Sequence, residues 1–558
     1  MAEQADQHFV EAVAALSSRG GGGPDLDLLA PLGPERALEL FDSQLGSRHL
    51  DLAARWLRGQ DKGFYTIGSS GHEGNAAVAA ALRPDDPALL HYRSGAFYLE
   101  RARQVPGSDP LRDVLLGIVA SAEEPISGGR HKVFGRRELA VIPQTSTIAS
   151  HLPRAVGVAF STERAAKLGA DGAWPRDAVT VCSFGDASAN HSTATGAINA
   201  AIQVGFRGLP MPLLLVCEDN GIGISVPTPA GWVAHAYAQR PGLAYFAADG
   251  SDLPDAVRGA REAADWVRRH RRPALLHLRT VRLMGHAGSD VEPAYRRPDA
   301  VAQDLERDPV LRTATLLVDA GVLTPDEVLE RYEAKRAQVL AIAREVAELP
   351  QLQSAEQVML PLAPCSPDEV AAVARTPAAP ERRAALFGRT LPEDEGPLTL
   401  AQSINRALLD VLAAHAGAMV FGEDVAAKGG VYGVTRGLAK KAGSARVFDT
   451  LLDEQTILGL GLGAGLSGLL PIPEIQYLAY LHNAEDQLRG EAATLQFFSA
   501  GQYRNPMVVR VAGYGYQKGF GGHFHNDNAV GVLRDVPGLV LASPALPDDA
   551  AALLRTCL

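Results

Sequence analysis

The sequence predicts an α/β protein built from two successive parallel β-sheets, each flanked by helices. Its 558 residues are too many for one hydrophobic core, so two or more domains are expected. In the first half, the short apolar runs AVTVCSF, PLLLVC and PALLHL alternate with helical stretches. Such runs are typical of strands that are buried on both faces of a parallel sheet. The alternation resumes in the second half with the runs AMVFGEDV, RVFDT, LLPIPEIQY, MVVRVAG and LVLASP.

Composition sets the boundaries between these parts. The glycine run SSRGGGGPD lies near the start of the chain, and a stretch rich in Pro, Ala and charged residues separates the two alternating regions. We expect a flexible N-terminal segment (1–28), a first α/β domain (29–360), a linker (361–397) and a second α/β domain (398–558).

Charge and composition argue against several classes of protein. The net charge of −11 and the pI near 5.8 argue against partners such as nucleic acid or a membrane surface. Four scattered cysteines, with no pair at metal-ligand spacing, fit a reducing compartment better than a disulfide framework. No apolar run of about 18 residues occurs, and the start MAEQADQHFVEAVAAL lacks the basic residues of a signal peptide. We therefore expect a cytoplasmic protein without a membrane span.

Two polar residues follow neighbouring predicted strands of the first domain. Asp186 follows the strand AVTVCSF, and Asn220 follows the next strand after one crossover helix. Ligands of open parallel sheets bind at the carboxyl ends of the strands, so both side chains are expected in one crevice. With the backbone carbonyl of Ile222 they form an oxygen-only set suited to Mg²⁺ that carries a diphosphate. The alternative, that Asp186 caps the following helix and Asn220 lies in a turn, stays open on these residues alone.

The same stretch resembles the thiamine-diphosphate motif, which is written Gly-Asp-Gly and then Asn after a crossover helix. Gly185, Asp186 and Ala187 stand at its first three positions, and Asn220 follows 34 positions after Asp186. The chain departs from the motif at Ala187, where a second Gly is usual, and at Asp219, where an Asn is usual. Neither departure removes a proposed side-chain ligand. The resemblance implies that thiamine diphosphate and Mg²⁺ bind at this crevice.

Further segments of the first half resemble the α part of the decarboxylating first component of 2-oxoacid dehydrogenases. LLHYRSGAFYLER has Tyr92 and Arg93 where that family holds the diphosphate, and a guanidinium fork suits phosphate oxygens. SGGRHKVFGRRELAVIPQTSTIASHLPRAVGVAFS has Ser146 and Ile148 where the family bends the cofactor. RTVRLMGHAGSDVEPAYRRPD has His286 at a catalytic histidine. Taken alone, Tyr92 and Arg93 could equally be a surface aromatic and an ion-pair partner.

The second half resembles the β part of the same family, from VFGEDVAAKGGVYG through DEQTILG and EIQYLAY to GGHFHNDNAVG. Glu454 stands where a glutamate bonds the aminopyrimidine ring, Tyr480 at a tyrosine near that ring, and His525 at the second catalytic histidine. A carboxyl in an apolar site keeps its proton more readily, which suits proton sharing with the ring. Glu423 competes for this role by pattern alone, and we prefer Glu454 for its matching position.

The resemblance thus implies one cofactor site to which both halves contribute. The implied catalytic residues are Glu454, His286 and His525, and histidines suit proton transfer near neutral pH. A histidine taken alone is more often structural, and we assign three others to that side: His151, His191 and His523. The residues implied for cofactor binding are Tyr92, Arg93, Ser146, Ile148, Gly185, Asp186, Ala187, Asn220, Ile222, His286, Glu454 and Tyr480.

The resemblance also implies a function and an assembly. We expect a fused α/β first component that decarboxylates a 2-oxoacid, with the branched-chain type favoured, and passes the acyl group to a lipoyl-bearing acyltransferase. Fusion of the two parts predicts a homodimer equivalent to an α₂β₂ tetramer. The third α/β domain that usually completes the β part is expected to be missing, because the sequence stops at AALLRTCL. Pyruvate or acetoin specificity, a transketolase-like enzyme and a catalytically silent scaffold are the alternatives.

Overall fold

Two parallel β-sheets form the framework of the chain, which confirms the predicted α/β class. The computed structural model describes residues 2–16, 25–362, 366–515 and 521–558. In chain order the strands are β1 (Ala88–Leu89), β2 (Thr180–Gly185), β3 (Leu213–Asp219), β4 (Ile222–Gly223), β5 (Val226–Pro227), β6 (Ala244–Asp249), β7 (Ala274–Arg279), β8 (Ala418–Gly422), β9 (Val447–Asp449), β10 (Leu470–Ile475) and β11 (Arg510–Val511). The first sheet has the order β1-β2-β3-β7-β6 and the second β11-β10-β8-β9, with parallel pairing throughout. Strands β4 and β5 form a separate antiparallel hairpin.

Helices surround both sheets. In the first half they are α1 (Ala2–Ala14), α2 (Pro34–Gly59), α3 (Ala76–Ala80), α4 (Gly95–Arg103), α5 (Pro110–Ile118), α6 (Leu152–Leu168), α7 (Asp186–Ala189), α8 (Ser192–Phe206), α9 (Trp232–Tyr237), α10 (Leu253–His270), α11 (Pro298–Leu305), α12 (Pro309–Asp319) and α13 (Pro325–Val346). They continue with α14 (Ala355–Met359), α15 (Pro367–Arg375), α16 (Pro380–Phe387), α17 (Leu400–Ala414), α18 (Leu438–Ala442), α19 (Glu454–Leu466), α20 (Leu478–Leu481), α21 (Ala493–Phe498), α22 (Gly522–His525), α23 (Gly531–Arg534) and α24 (Pro547–Cys557). Among the described residues, none of these helices combines the length and the apolar character that a bilayer crossing requires.

The two faces of the first sheet belong to different hydrophobic cores. One core joins the sheet to α2, α4, α5, α10, α12 and α13 within the first half. The other core contains residues of α6 and α8 together with residues of α19, β8 and β10 from the second half. Because this second core is shared, burial of apolar surface holds the two halves together.

Helices α6 and α19 are the closest contact between the halves. A Cβ added to Gly463 would lie 2.2 Å from the backbone nitrogen of Val158 and 2.3 Å from the carbonyl oxygen of Arg154. A Cβ added to Gly459 would lie 2.1 Å from the Cβ of Pro153. Any side chain larger than hydrogen would force these two helices apart, so glycine is required for their backbones to approach this closely.

The N-terminal segment differs from the prediction of flexibility over residues 1–28. Helix α1 occupies Ala2–Ala14, and its residues Ala5, Phe9 and Val13 are fully buried. The ring of Phe9 stacks on Tyr332 of α13 with 4.2 Å between centroids. The reason is visible in the sequence, because a spacing of four residues aligns these apolar side chains on one helical face. The glycine run at positions 17–24 lies outside the described residues.

The segment between the two halves, predicted as a linker over residues 361–397, contains helices. Helices α15 and α16 lie within residues 361–397, and Arg383 of α16 forms ion pairs with Glu393 and with Asp410 of α17 at 2.7 and 2.8 Å. Residues 363–365 are outside the described part.

The predicted strand LVLASP is wrong: residues 539–544 form no strand, and Val540 is 84% exposed. Its apolar side chains therefore gain no burial that would favour pairing with the sheet.

Candidate active site

The proposed metal ligands meet at the carboxyl ends of β2 and β3. The Asp186 carboxylate is buried, and its Oδ1 accepts a hydrogen bond from the backbone N–H of Asn220 at 3.4 Å. The hydroxyl of Thr228 donates to the other carboxylate oxygen. The backbone N–H of Ile222 donates to Asn220 Oδ1 at 3.1 Å. Gly185 is the residue at the N-cap of α7, and Asp186 makes no capping bond, so the helix-cap alternative does not describe this side chain.

Two local features account for the departures from the thiamine-diphosphate motif. Asp219 points to His277, whose Nε2 lies 2.7 Å from Asp219 Oδ2. Burial is the largest influence and raises the Asp219 pKa, but the bond and charge of His277, the Gly221 N–H and the charge of Arg279 together lower it. Ala187 faces a glycine: a Cβ on Gly223 would lie only 2.4 Å from the Ala187 Cβ. The methyl group of Ala187 therefore occupies space that the small residue opposite leaves open.

The Asp186 carboxylate lies in surroundings that favour a cation. Burial raises its pKa, and the negative charge of Asp219 adds to this effect. A divalent cation would offset both costs of keeping the carboxylate ionised. The donor set is made of oxygens, from a carboxylate, a carboxamide and a backbone carbonyl, which fits Mg²⁺.

Arg93 and His286 lie together, and Tyr92 is their neighbour. Arg93 Nη2 donates to His286 Nδ1 at 3.1 Å, so that nitrogen is an acceptor and the imidazole is neutral. Burial, and after it the charges of Arg93 and Arg282, lower the His286 pKa to about 4. The guanidinium of Arg93 also donates to the carbonyl of Gly68 and stands 5.2 Å from the centre of the Tyr92 ring. The structure thus brings together three residues that the sequence predicted for the diphosphate end.

Arg282 is a fourth residue at this end, and the sequence reasoning missed it. Its side chain is buried and donates to the Ile224 carbonyl and to the Tyr295 hydroxyl, each at 2.7 Å. Among the described residues its Nε has no hydrogen-bond partner, and its Nη2 forms a long ion pair with Glu292 at 3.7 Å. The signal was present in RTVRLMGHAGSD, where an arginine precedes His286 by four positions.

The buried arginines supply a test of whether a diphosphate fits. Burial lowers the pKa of Arg93, as does the positive charge of Arg282, and none of the ion pairs among the described residues involves Arg93. Buried cations without a counter-ion are costly. An anion bound beside Arg93 would remove that cost, so the residues present fit a Mg²⁺-bound diphosphate.

Glu454 begins α19, at the contact between the two halves. It is partly buried, and its Oε2 accepts a hydrogen bond from Asn483 Nδ2 at 2.9 Å. The adjacent Gln455 accepts a hydrogen bond from the hydroxyl of Thr193 at 2.5 Å. Thr193 lies in the first turn of α8, seven positions after Asp186. The start of α19 therefore lies against α8, the helix that leads away from the metal corner formed by Asp186 and Asn220.

Glu423, the competing candidate, is buried beside Glu454. Burial first, and then the negative charge of Glu454, raise its pKa to about 7. Glu423 therefore has the carboxyl whose pKa is raised, whereas Glu454 lies at the start of α19. The preference for Glu454 over Glu423 stays a prediction.

Tyr480 and His525 form a pair in the second half. His525 Nδ1 lies 2.7 Å from the carbonyl oxygen of Gly521, which can only accept, so Nδ1 carries the proton. Nε2 lies 3.1 Å from the Tyr480 hydroxyl, with which it shares a hydrogen bond. The ring of Tyr477 packs edge-on against His525 at 4.6 Å.

The loop that contains Ser146 and Ile148 is pressed against the second half. Ile148 packs against the core shared by the halves, and Ser150 donates to Glu491 at 2.5 Å. Gln487 donates to the Ser150 carbonyl at 2.9 Å. Among the described residues, no hydrogen bond or ion pair joins Asp186 or His286 directly to Glu454, Tyr480 or His525; the two groups are connected through this loop and through the α6, α8 and α19 contacts.

Comparison with protein families gives this arrangement a context. A family model described as the dehydrogenase E1 component matches residues 44–354, more than half of the chain. The chain belongs to the dehydrogenase E1 component family. In this E1 chain a second match, to the pyrimidine binding domain of transketolase, covers residues 397–558. Both halves of a thiamine-diphosphate fold are therefore present in one polypeptide, which confirms the predicted fusion of an α part and a β part.

Curated relatives match part of this E1 chain. It is 38% identical over 184 residues to the 3-methyl-2-oxobutanoate dehydrogenase subunit beta of Mycobacterium tuberculosis (33% of this chain, 51% of the relative). It is 40% identical over 162 residues to the pyruvate dehydrogenase E1 component subunit beta of Staphylococcus epidermidis (28% and 48%). It is also 40% identical over 162 residues to the 2-oxoisovalerate dehydrogenase subunit beta of Pseudomonas aeruginosa (29% and 45%). The chain spans about half the length of the curated relatives it matches.

Proposed function

We propose that this E1 chain catalyses the thiamine-diphosphate-dependent decarboxylation of a 2-oxoacid and the transfer of the acyl group to a lipoyl group. The observation that carries the proposal is the contact between the start of α19, where Glu454 lies, and the start of α8, which follows Asp186. One chain thereby supplies candidate ligands for both ends of the cofactor. Bound thiamine diphosphate would supply nucleophilic carbanion chemistry at its thiazolium ring, through which 2-oxoacids lose CO₂.

The first-half residues bind and orient in this proposal. Asp186, Asn220 and the Ile222 carbonyl would hold Mg²⁺, which neutralises the diphosphate charge. Arg93 and Arg282 would contact diphosphate oxygens from buried positions, where charge-assisted hydrogen bonds are strong. The neutral imidazole of His286, held at Nδ1 by Arg93, is free to donate from Nε2 toward substrate or diphosphate oxygens.

The second-half residues hold and move protons. Glu454 would bond a ring nitrogen of the aminopyrimidine, and Glu423, with its pKa raised to about 7, retains a proton beside it. His525 and Tyr480 share a hydrogen bond whose proton can shift toward a substrate carbonyl. Proton donors and acceptors of this kind near neutral pH suit a reaction that removes and returns protons at carbon.

A cavity beside Tyr92 supports a branched-chain substrate. Its walls include the apolar side chains of Leu50, Ile67, Ile118 and Phe134. Such a wall suits an aliphatic side chain better than a charged one. Polar groups of Asp51 and Lys132 also reach the cavity, and the pyruvate and acetoin alternatives remain for the experiment to separate.

Assembly follows the same reasoning. The fused chain would form a homodimer equivalent to an α₂β₂ tetramer, and it would act with a lipoyl-bearing acyltransferase. The relatives carry names of both branched-chain enzymes and pyruvate enzymes, which supports a 2-oxoacid substrate more firmly than a choice among them.

A substrate panel tests the proposal. The purified chain with thiamine diphosphate and Mg²⁺ should reduce an artificial electron acceptor when a 2-oxoacid is added, fastest with 3-methyl-2-oxobutanoate. A preference for pyruvate would overturn the branched-chain choice and leave the reaction class. Absence of turnover with every 2-oxoacid, together with no rise in melting temperature on adding cofactor and Mg²⁺, would support the catalytically silent scaffold instead.

A further inference from the structure

A row of three polar side chains runs from the metal corner into the core of the first half. Asn220 Nδ2 lies 2.9 Å from His72 Nε2, and His72 Nδ1 lies 2.7 Å from Glu218 Oε2. The side chains of His72 and Glu218 are fully buried. A buried carboxylate, an imidazole and a carboxamide in line are costly unless every group has a partner. The row therefore requires an explanation beyond packing.

The polarity of every bond in the row follows from one backbone group. The N–H of Ile222 can only donate, so the Asn220 atom that it contacts at 3.1 Å is the oxygen Oδ1. The amide nitrogen of Asn220 then faces His72, whose Nε2 must accept. His72 therefore carries its proton on Nδ1 and donates it to Glu218. A single tautomer of His72 and a single orientation of Asn220 satisfy all three bonds.

Glu218 is itself held in place from the other side. Its Oε2 accepts a second bond from Asn75 Nδ2 at 3.1 Å, and its Oε1 accepts from the Ser94 hydroxyl at 3.0 Å. Asn75 is oriented in turn, because the backbone N–H of Phe97 donates to its Oδ1 at 2.8 Å. Asn75 Nδ2 also donates to the carbonyl of Arg93 at 3.1 Å. The row thus connects the metal corner to the backbone of the arginine at the diphosphate end.

A second metal ion is the competing explanation for these residues. His72, His91 and Glu218 offer ligand atoms within 4.8 Å of one another. Both ring nitrogens of His72 are already engaged, by Glu218 and by Asn220. A metal on Nδ1 would break the bond to Glu218. The hydrogen bonds of the row therefore favour positioning of Asn220 over a separate metal centre.

We propose that Glu218 and His72 are positioning residues that hold the Asn220 amide with its oxygen directed to Mg²⁺. The proposal rests on the proposed function, because it takes the corner formed by Asp186 and Asn220 as the Mg²⁺ site. Groups that orient a metal ligand from behind commonly change metal affinity by about 10- to 100-fold when they are removed. With its nitrogen turned to the corner, Asn220 would present a donor, which cannot bind a cation.

Two substitutions of His72 separate positioning from packing. His72→Leu removes both bonds and should weaken Mg²⁺ binding, measured by calorimetry at saturating thiamine diphosphate, by about 10- to 100-fold. His72→Gln retains one acceptor and one donor on a planar group and should restore most of the affinity. The matched control is His49→Leu, which removes a buried histidine packed against Tyr332 at 4.3 Å and should leave Mg²⁺ affinity unchanged. Equal Mg²⁺ affinity of His72→Leu and the wild type would overturn the proposal.

A double-mutant cycle with Asn220→Ala identifies the residue through which His72 acts. If His72 acts only through Asn220, adding His72→Leu to Asn220→Ala should weaken Mg²⁺ binding no further. Fully additive losses would overturn the proposal, as would stoichiometric zinc or iron retained by wild type and lost in His72→Leu. Melting of each cofactor-free variant shows whether it folds. Failure of the wild type itself to bind thiamine diphosphate and Mg²⁺ would refute the proposed function, a result distinct from either outcome above.

Discussion

The two ends of the candidate cofactor site are built in different ways. At the metal and diphosphate end, the side chains project from the ends of adjacent parallel strands, and Asp186, Arg93 and Arg282 are almost fully buried. At the aminopyrimidine end, Glu454, Tyr480 and His525 lie at the starts of helices or on short helices and are only partly buried. The first end is therefore organised by the sheet itself, and the second by the packing of one half on the other.

This difference indicates what each end contributes. Buried, hydrogen-bonded groups are preorganised for a charged ligand, because their orientation is set before the ligand arrives. At the second end, the partly exposed side chains of Glu454, Tyr480 and His525 can exchange protons with solvent and with a substrate. Glu423, which lies beside Glu454, has its pKa raised to about 7 and so titrates near neutral pH. We infer that binding energy comes mainly from the first end and proton transfer from the second.

The largest expected effect breaks the first end. Asp186→Ala removes the only carboxylate proposed for Mg²⁺ and should abolish Mg²⁺-dependent binding of thiamine diphosphate, measured by calorimetry. Asp177→Ala is the matched control: that carboxylate is 61% exposed and pairs with Arg83, so its loss should leave cofactor affinity unchanged. Unchanged affinity of Asp186→Ala would place the metal elsewhere.

The next effect breaks the second end without touching the first. Glu454→Gln should lower 2-oxoacid-dependent reduction of an artificial acceptor by orders of magnitude, because a carboxamide cannot share an ionisable proton with the aminopyrimidine ring. Its Mg²⁺ affinity should stay within about threefold of wild type, since Glu454 makes no contact with the metal corner among the described hydrogen bonds. A large loss in Glu423→Gln with near-normal turnover in Glu454→Gln would exchange the two roles.

The smallest effect concerns pH, and the two ends should respond with opposite signs in the cofactor-free protein. Glu423 has its pKa raised from 4.5 to about 7, so between these values the folded chain binds a proton that the unfolded chain has released. The free energy of unfolding therefore falls as pH rises through this window. His286 has its pKa lowered from 6.5 to about 4, so the unfolded chain binds the extra proton there and stability rises with pH.

Denaturant titrations between about pH 4 and 7 measure these contributions. Relative to Glu423→Gln, the wild type should lose at most about 1.4 kcal/mol per pH unit as pH increases. Relative to His286→Asn, the wild type should gain stability between about pH 4 and 6.5. Parallel curves for wild type and Glu423→Gln would show that this carboxyl titrates normally.

The sequence points to the candidate residues of the first end more directly than to those of the second, for a physical reason. Asp186 and Asn220 follow strands recognisable as apolar runs, and parallel strands bring their carboxyl ends together whatever the loops do. Arg282 was missed because its one signal was its position four residues before His286, and position alone does not distinguish a buried arginine from a solvated one. The Glu218–His72–Asn220 row joins positions 72 and 218–220, a separation that no local pattern reveals.

The second end was predictable only through resemblance. Glu423 and Glu454 are both plausible from residue type, and the difference between them depends on burial. The histidines that the sequence analysis assigned to structural roles likewise depend on contacts that residue type alone does not reveal. His151 Nε2 donates to the Ser183 carbonyl at 2.9 Å, and His191 Nδ1 accepts from the Thr193 N–H as a helix cap. The prediction of a flexible segment over residues 1–28 also missed α1, whose apolar side chains lie on one face and pack against α13.

The backbone contact between α6 and α19 has a consequence for engineering. Where two helices touch through Gly459 and Gly463, there is no side chain that could be trimmed or regrown to absorb a change in the opposing surface. A chimera that exchanges one half of this chain for that of a relative will therefore assemble only if α6 and α19 are both taken from the same protein.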